Sequence, residues 1–246
     1  MKTYWRHVLF LLFITGSLAA MMSIKPFGQD RSYHVLVDQR AFLGVPNFLD
    51  VVSNLAFVLV GAIGLRFCFK DALQGACWSW RVFFVGIGLV GFGSAYYHWA
   101  PGNATLLWDR LPMTIGFMGL FTALLSEHID CRIEKYLLLP AILAGFASVI
   151  YWYCFDDLRF YAGIQSISLL TVPLVLFLFR GRYTRRMLLL AALFAYVLAK
   201  VAEMYDREVF AFTQQHLSGH TLKHLLAALA CFAVYAMLKA RKPLNA

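Results

Sequence analysis

Eight apolar runs, each close to the length of a helical bilayer crossing, dominate this chain of 246 residues. They lie near 7–23, 47–69, 80–99, 107–126, 136–154, 160–180, 187–206 and 219–239. About 20 predominantly apolar residues cross the hydrocarbon as a helix, which satisfies every backbone group internally. With 61% hydrophobic and only 14% charged residues, the composition excludes an ordinary soluble domain. The expected fold class is an all-α, multi-pass membrane protein. The first run follows Lys2 and Arg6 and contains Ser17-Leu18-Ala19, as a signal peptide could. Its apolar stretch exceeds the usual signal core and continues through Met21-Met22, which favours a retained helix.

The net charge of +9 does not point to nucleic acid, because the cations are scattered in short groups between apolar runs. If each run crosses once and the amino terminus marks the near side, fourteen Lys and Arg fall on the near side and seven on the far side. Lys223 sits inside the last run. Positive charge is retained in the cytoplasm, so the near side and the carboxyl terminus are expected there. The five cysteines form no CxxC pair, so they indicate neither a disulfide framework nor a zinc ribbon.

The alternation of crossings also sorts the polar residues. Ser94 and His98 at the end of the third run, Asp109 at the start of the fourth, and His220 and His224 at the start of the eighth all fall on the far side. So do Asn47, Asp50, Ser53 and Asn54, then Gln165, Glu203 and Asp206. Ser94 and His98 are four apart, as are His220 and His224, so each pair shares one helix face. The HxxxH spacing suits two ligands of one ion, although the glutamate of an HExxH protease is absent. His98 would complete a three-imidazole set, which leaves zinc a fourth position for water with a pKa near 7. Such an ion explains why polar side chains persist in hydrocarbon. Asp109, placed just before Pro112 in the expected first turn of its helix, reads either as a cap or as the proton acceptor for a metal-activated water. Ser94 would hydrogen-bond that water or a substrate oxygen, its alternative being a bond to the carbonyl one turn earlier. Gly91 and Gly93 would admit a neighbouring helix here. A serine-nucleophile protease fits less well: Ser94 lacks a G-x-S-x-G turn, and the HxxxH pair would have no task.

The order Gly91-x-Gly93-Ser94-x-x-Tyr97-His98, Asp109 with Pro112-Met113, and a late His220-x-x-x-His224 resembles the alkaline ceramidase family. "DVVSNLAF", with Ser53-Asn54, is similar to that family's early S-N element. The resemblance spans about residues 38 to 240 and extends to a wider superfamily that includes adiponectin receptors and GPI-remodelling proteins. It implies a seven-helix core, formed by the second to eighth runs, with one additional N-terminal helix. It also implies zinc held by His98, His220 and His224, with Ser94 and Asp109 as the catalytic pair. The implied reaction is hydrolysis of the ceramide amide to a sphingoid base and a fatty acid. Some members bind calcium through an acidic, tryptophan-containing cluster ahead of the core. This chain has Asp38, Asn47 and Asp50 there but no Trp-x-Glu element, leaving calcium without its usual signature. The extra first helix looks more like a bacterial member.

The expected organisation is residues 1–36 as N-terminal membrane helix and linker, and 37–242 as the ceramidase-like domain. The expected setting is a bacterial inner membrane with the metal site toward the periplasm, a lipid substrate and no nucleic-acid partner. Small-residue spacing occurs inside single bundles as well as between them, so oligomeric state is not legible. The competing function is a zinc-containing receptor of the adiponectin-receptor type with little turnover. A proton-relaying transporter would instead need polar groups along a path through the membrane.

Overall fold

The structure is a computed structural model and describes residues 4–70 and 73–244. Lys2, counted above among the near-side cations, lies outside them. All eight runs are helical. The helices are α1 (Tyr4–Ser23), α2 (Phe48–Val52), α3 (Leu55–Lys70), α4 (Cys77–Trp99) and α5 (Asn103–His128), followed by α6 (Ile133–Phe155), α7 (Arg159–Leu178), α8 (Leu188–Met204), α9 (Asp206–Phe212) and α10 (Gly219–Ala240). The chain is an all-α integral membrane protein, a seven-helix bundle with one further helix at its amino end.

Two spans are interrupted on the side where the polar residues gather. Phe48–Lys70 is one crossing of 23 residues broken after α2. There the Asp50 carbonyl accepts from the Ser53 hydroxyl at 3.1 Å and the Asn54 amide at 2.7 Å, while Asn54 N donates to Val51. Short polar side chains have replaced the regular ladder bond. α8 and α9 meet at 84°, and the amino end of α10 lies in that bend. A Cβ on Gly219 would approach the Asp206 Cα to 2.6 Å.

α5 is the span whose composition fits a membrane least on its own. Its 26 residues give about 39 Å of helix, ample for a crossing, yet it carries Asp109, Arg110 and Glu127. It packs against α4, α6 and α7, so neighbouring helices, not lipid, meet most of its surface. α1 lies outside the bundle against α7, with Phe10 its one buried residue. Arg159 Nη1 joins the two by donating to the carbonyls of Met22 and Ile24, both at 3.0 Å, at the end of α1.

Asp109 corrects the sequence expectation. α5 begins at Asn103, so Asp109 is in its second turn and Pro112 is interior. The capping alternative for Asp109 therefore fails. Proline lacks the N–H that would bond the carbonyl four residues earlier, which belongs to Trp108. Gly93 of α4 packs directly against that freed carbonyl oxygen, where a Cβ would collide with it. Gly91 likewise packs against α3, where a Cβ would lie 2.9 Å from the Asn54 carbonyl. Both glycines admit a neighbouring helix, as expected.

Candidate metal centre

His98 ends α4, and His220 and His224 occupy the first turns of α10. The three imidazoles converge. His98 Nε2 and His220 Nε2 are 3.2 Å apart, and the ring centroids are separated by 4.7, 4.8 and 4.9 Å. One nitrogen from each ring lies within 4.8 Å of the others. Nitrogens at about 2.0–2.1 Å from a tetrahedral zinc are about 3.3 Å apart, so the His98–His220 pair already has that spacing. The rings are 1%, 5% and 2% exposed, too little for water to satisfy them.

Local structure fixes each ring. Ser218 caps α10, its hydroxyl accepting from Thr221 N at 2.9 Å, and Asp206 Oδ1 accepts from His220 N at 2.8 Å. These contacts satisfy amides that a helix start leaves open. Asp50 Oδ1 accepts from Thr221 Oγ1 at 2.5 Å and from Ser218 Oγ at 3.1 Å, tying α2 to the same turn. Asn47 donates to the His98 carbonyl at 2.8 Å. Ser53 Oγ lies 2.8 Å from His224 Nδ1, which leaves His224 Nε2 to face the other rings.

That remaining nitrogen tests whether a cation suits the site. His224 Nε2 is buried without a hydrogen-bond partner, a costly state for a polar atom. His220 Nε2 accepts from Lys223 Nζ at 2.7 Å, so this lysine, which also pairs with Glu203, must give up that contact for the ring to ligate an ion. Three imidazoles suit a transition metal such as zinc, whereas calcium takes oxygen ligands. Of the oxygen-bearing residues in the calcium stretch, Asp38 pairs with Arg40 at 2.6 Å, and Asp50 Oδ1 accepts from Thr221 and Ser218 while its Oδ2 is buried without a partner. A metal therefore fits the residues present at the trio.

Ser94 and Asp109 reach the same place from α4 and α5. Both line a cavity of about 340 Å³ that also exposes His224, and Ser94 is close enough to interact with the Asp109 carboxylate. Beside it lies an apolar cavity of about 120 Å³ that shares Phe57, Val90, Met113, Tyr196 and Ala227 with the first. Continuing down α5, Gly116, Phe117 and Leu120 line the apolar chamber. The polar chamber also holds residues to which sequence reasoning gave no role. Glu203 receives Tyr33 Oη at 3.1 Å and Lys223 Nζ at 3.0 Å, and also pairs with Lys200. A charge inside an apolar run is itself a signal, and Lys223 carried it.

A family model described as Ceramidase matches residues 44–242. The chain belongs to the ceramidase family. Comparison with curated proteins gives no match. Membership makes the chain an amidohydrolase acting on a lipid amide. The matched region takes in every residue of the His, Ser and Asp constellation, whereas α1 lies outside it. The ceramidase assignment thus meets a buried three-histidine cluster, able to hold a metal, beside a two-chambered cavity.

Proposed function

We propose that this ceramidase-family protein is a zinc enzyme that cleaves ceramide or a similar acylated amine, releasing a fatty acid and a sphingoid base or other amine. The observation that carries the reading is the meeting of His98, His220 and His224 beside a cavity that His224 lines together with Ser94 and Asp109. Held by the three imidazoles, zinc would supply Lewis acidity, polarising a carbonyl and making water more acidic. Asp109 then takes a proton from the attacking water and delivers it to the departing nitrogen. Its carboxylate forms no ion pair among the described residues, so it remains available for this work. Ser94 steadies the water or the carbonyl oxygen by hydrogen bonding. The acyl chain runs from this point into the chamber lined by Phe57, Val90 and Phe117.

The excess of cations on the opposite side supports an orientation with the carboxyl terminus in the cytoplasm and the centre toward the periplasm of a bacterial inner membrane. Residues 1–36 serve as a membrane helix and linker, and 37–242 as the hydrolase domain. Elemental analysis of the purified protein, joined to fatty-acid release from ceramides and matched lipid esters, tests the reading. Close to one zinc per chain and faster amide than ester cleavage are expected. Bound metal with no turnover would move the assignment toward an adiponectin-receptor-like role, and folded protein that takes up no transition metal would overturn it.

A further inference from the structure

Of the three cationic residues that line the polar chamber, Lys200 and Lys223 pair with Glu203, whereas Arg110 forms no ion pair among the described residues. Arg110 is 7% exposed and lines the cavity beside Asp109. Its guanidinium carbon lies 4.0 Å from the centroid of the Trp152 ring and 4.9 Å from that of Tyr161, two cation–π contacts that hold it in place. Nη2 donates to Gln29 Oε1, and Nη1 is buried with no partner. No carboxylate lies within ion-pairing distance of it among the described residues, and the Glu203 carboxylate is occupied by Tyr33, Lys223 and Lys200. A buried guanidinium with an idle N–H and no carboxylate in contact is expensive unless an anionic group arrives from outside the chain to accept from it.

The partners of the guanidinium say which part of a substrate could bring it. Met113 borders both chambers, and Gly116, Phe117 and Leu120 line the apolar one, whereas Asp109 and Arg110 line only the polar one. The Arg110 head is turned away from the apolar chamber: it meets Gln29, between α1 and α2, and Trp152 and Tyr161, at the adjoining ends of α6 and α7, none of which lines that chamber. With the acyl chain in the apolar chamber and the scissile carbon at Asp109, the guanidinium falls on the amine side of the bond. We propose that Arg110 is a specificity-determining residue that binds an anionic group, carboxylate or phosphate, on the amine fragment of the lipid, so that the preferred substrates are acidic N-acyl lipids and not neutral ceramides. This rests on the hydrolase reading above and narrows its substrate class. The planar fork of donors, packed against two rings, suits a carboxylate or phosphate better than a hydroxyl.

N-palmitoylglycine and N-palmitoylethanolamine share an acyl chain and differ in carrying a carboxylate or a hydroxyl, so their kcat/KM ratio reads the anion alone. The wild-type ratio is expected to favour the glycine conjugate, and Arg110→Gln to lower it at least about tenfold, as loss of a charge-assisted hydrogen bond implies. Arg110→Lys, which keeps charge but not the fork, is expected to fall between and serves if Arg110→Gln does not fold. An unchanged ratio in a folded variant, or a wild-type preference for the neutral amide, overturns the proposal. Binding of both amides and of palmitate to Asp109→Asn protein, with and without the Arg110 substitution, separates the remaining cases. Retention of the acyl-glycine that depends on Arg110, with no cleavage by the parent enzyme, sinks the hydrolase reading and upholds the Arg110 assignment. Equal dependence for palmitate assigns Arg110 to the released acid and overturns the proposal.

Discussion

Asp109 shares a cavity with His224 and Ser53 hydrogen-bonds that ring, so their substitutions should separate the proposed chemistry from metal retention. Asp109→Asn keeps the volume of the side chain and removes its basicity. Turnover should fall by about 10²–10⁴, the usual contribution of a positioned proton-transfer group, while metal content by elemental analysis stays at the wild-type level. Normal hydrolysis by that variant would remove Asp109 from the scheme. Ser53→Ala takes away the hydroxyl 2.8 Å from His224 Nδ1, which holds that ring in place. Loss of such a ligand-orienting contact typically weakens metal binding about 10–100-fold. A chelator competition that finds the affinity of Ser53→Ala unaltered would mean the ring is held by packing against Phe57 and His98. Both residues were legible in the sequence as polar groups in an apolar setting. Their partners were not, since Ser53 and His224 are 171 positions apart.

Helix contacts control how closely the site can assemble. Gly93 meets α5 at the carbonyl that Pro112 leaves unbonded, so Gly93→Ala must push α4 and α5 apart beside Ser94 and Asp109. A cost of about 1–3 kcal/mol is expected for overpacking of this kind, seen as a lower melting temperature in detergent, together with reduced turnover. Gly102→Ala is the control, because a Cβ there meets nothing within 4 Å. Equal melting temperatures for the two variants would show that α4 yields without strain. At the outer helix, Arg159 binds Asp157 at 2.8 Å and also holds the end of α1. Hydrogen bonding from Arg159 keeps the Asp157 carboxyl below its ordinary value. A depressed folded value stabilises the protein above the unfolded carboxylate range near 4, and the contribution disappears as pH falls through the folded value. Acidification below about pH 4 should therefore loosen α1, read as faster amide exchange at residues 20–28, and Asp157→Asn should show the loosening at neutral pH. Exchange that does not respond to either change would leave α1 held by its packing on α7.

Across the whole molecule, the helices that carry the site are clasped again at their opposite ends. Glu127 at the end of α5 binds Arg241, just after α10, at 2.6 Å, and its Oε1 accepts from Trp80 Nε1 of α4 at 2.7 Å. Both charged side chains are nearly inaccessible, at 4% and 5%. Removing one partner of a buried pair strands the other, so Arg241→Met should cost about 3–5 kcal/mol. The double variant with Glu127→Gln should recover part of that loss, because no carboxylate is then left unpaired. Additive losses in thermal melting would mean the pair acts as two independent contacts. The same three helices bear His98, Asp109 and the His220–His224 pair, so the clasp should also preserve metal affinity at a distance.

The number of spans, their order and the gathering of polar residues on one side follow from hydrophobic length and alternation, which are local properties of the chain. The His220–His224 pair is equally local, because helical periodicity alone puts both rings on one face. Contacts between distant segments are another matter. Starting α5 at Asn103 moved Asp109 away from the helix end, and only packing joined Gly93 to the carbonyl freed by Pro112. The break at Ser53-Asn54, the 84° bend at Tyr205, and the placing of Arg110 between Trp152 and Tyr161 all required the assembled bundle. Periodicity tells a residue which face of its own helix it occupies. Which neighbour that face meets is settled only when the helices pack.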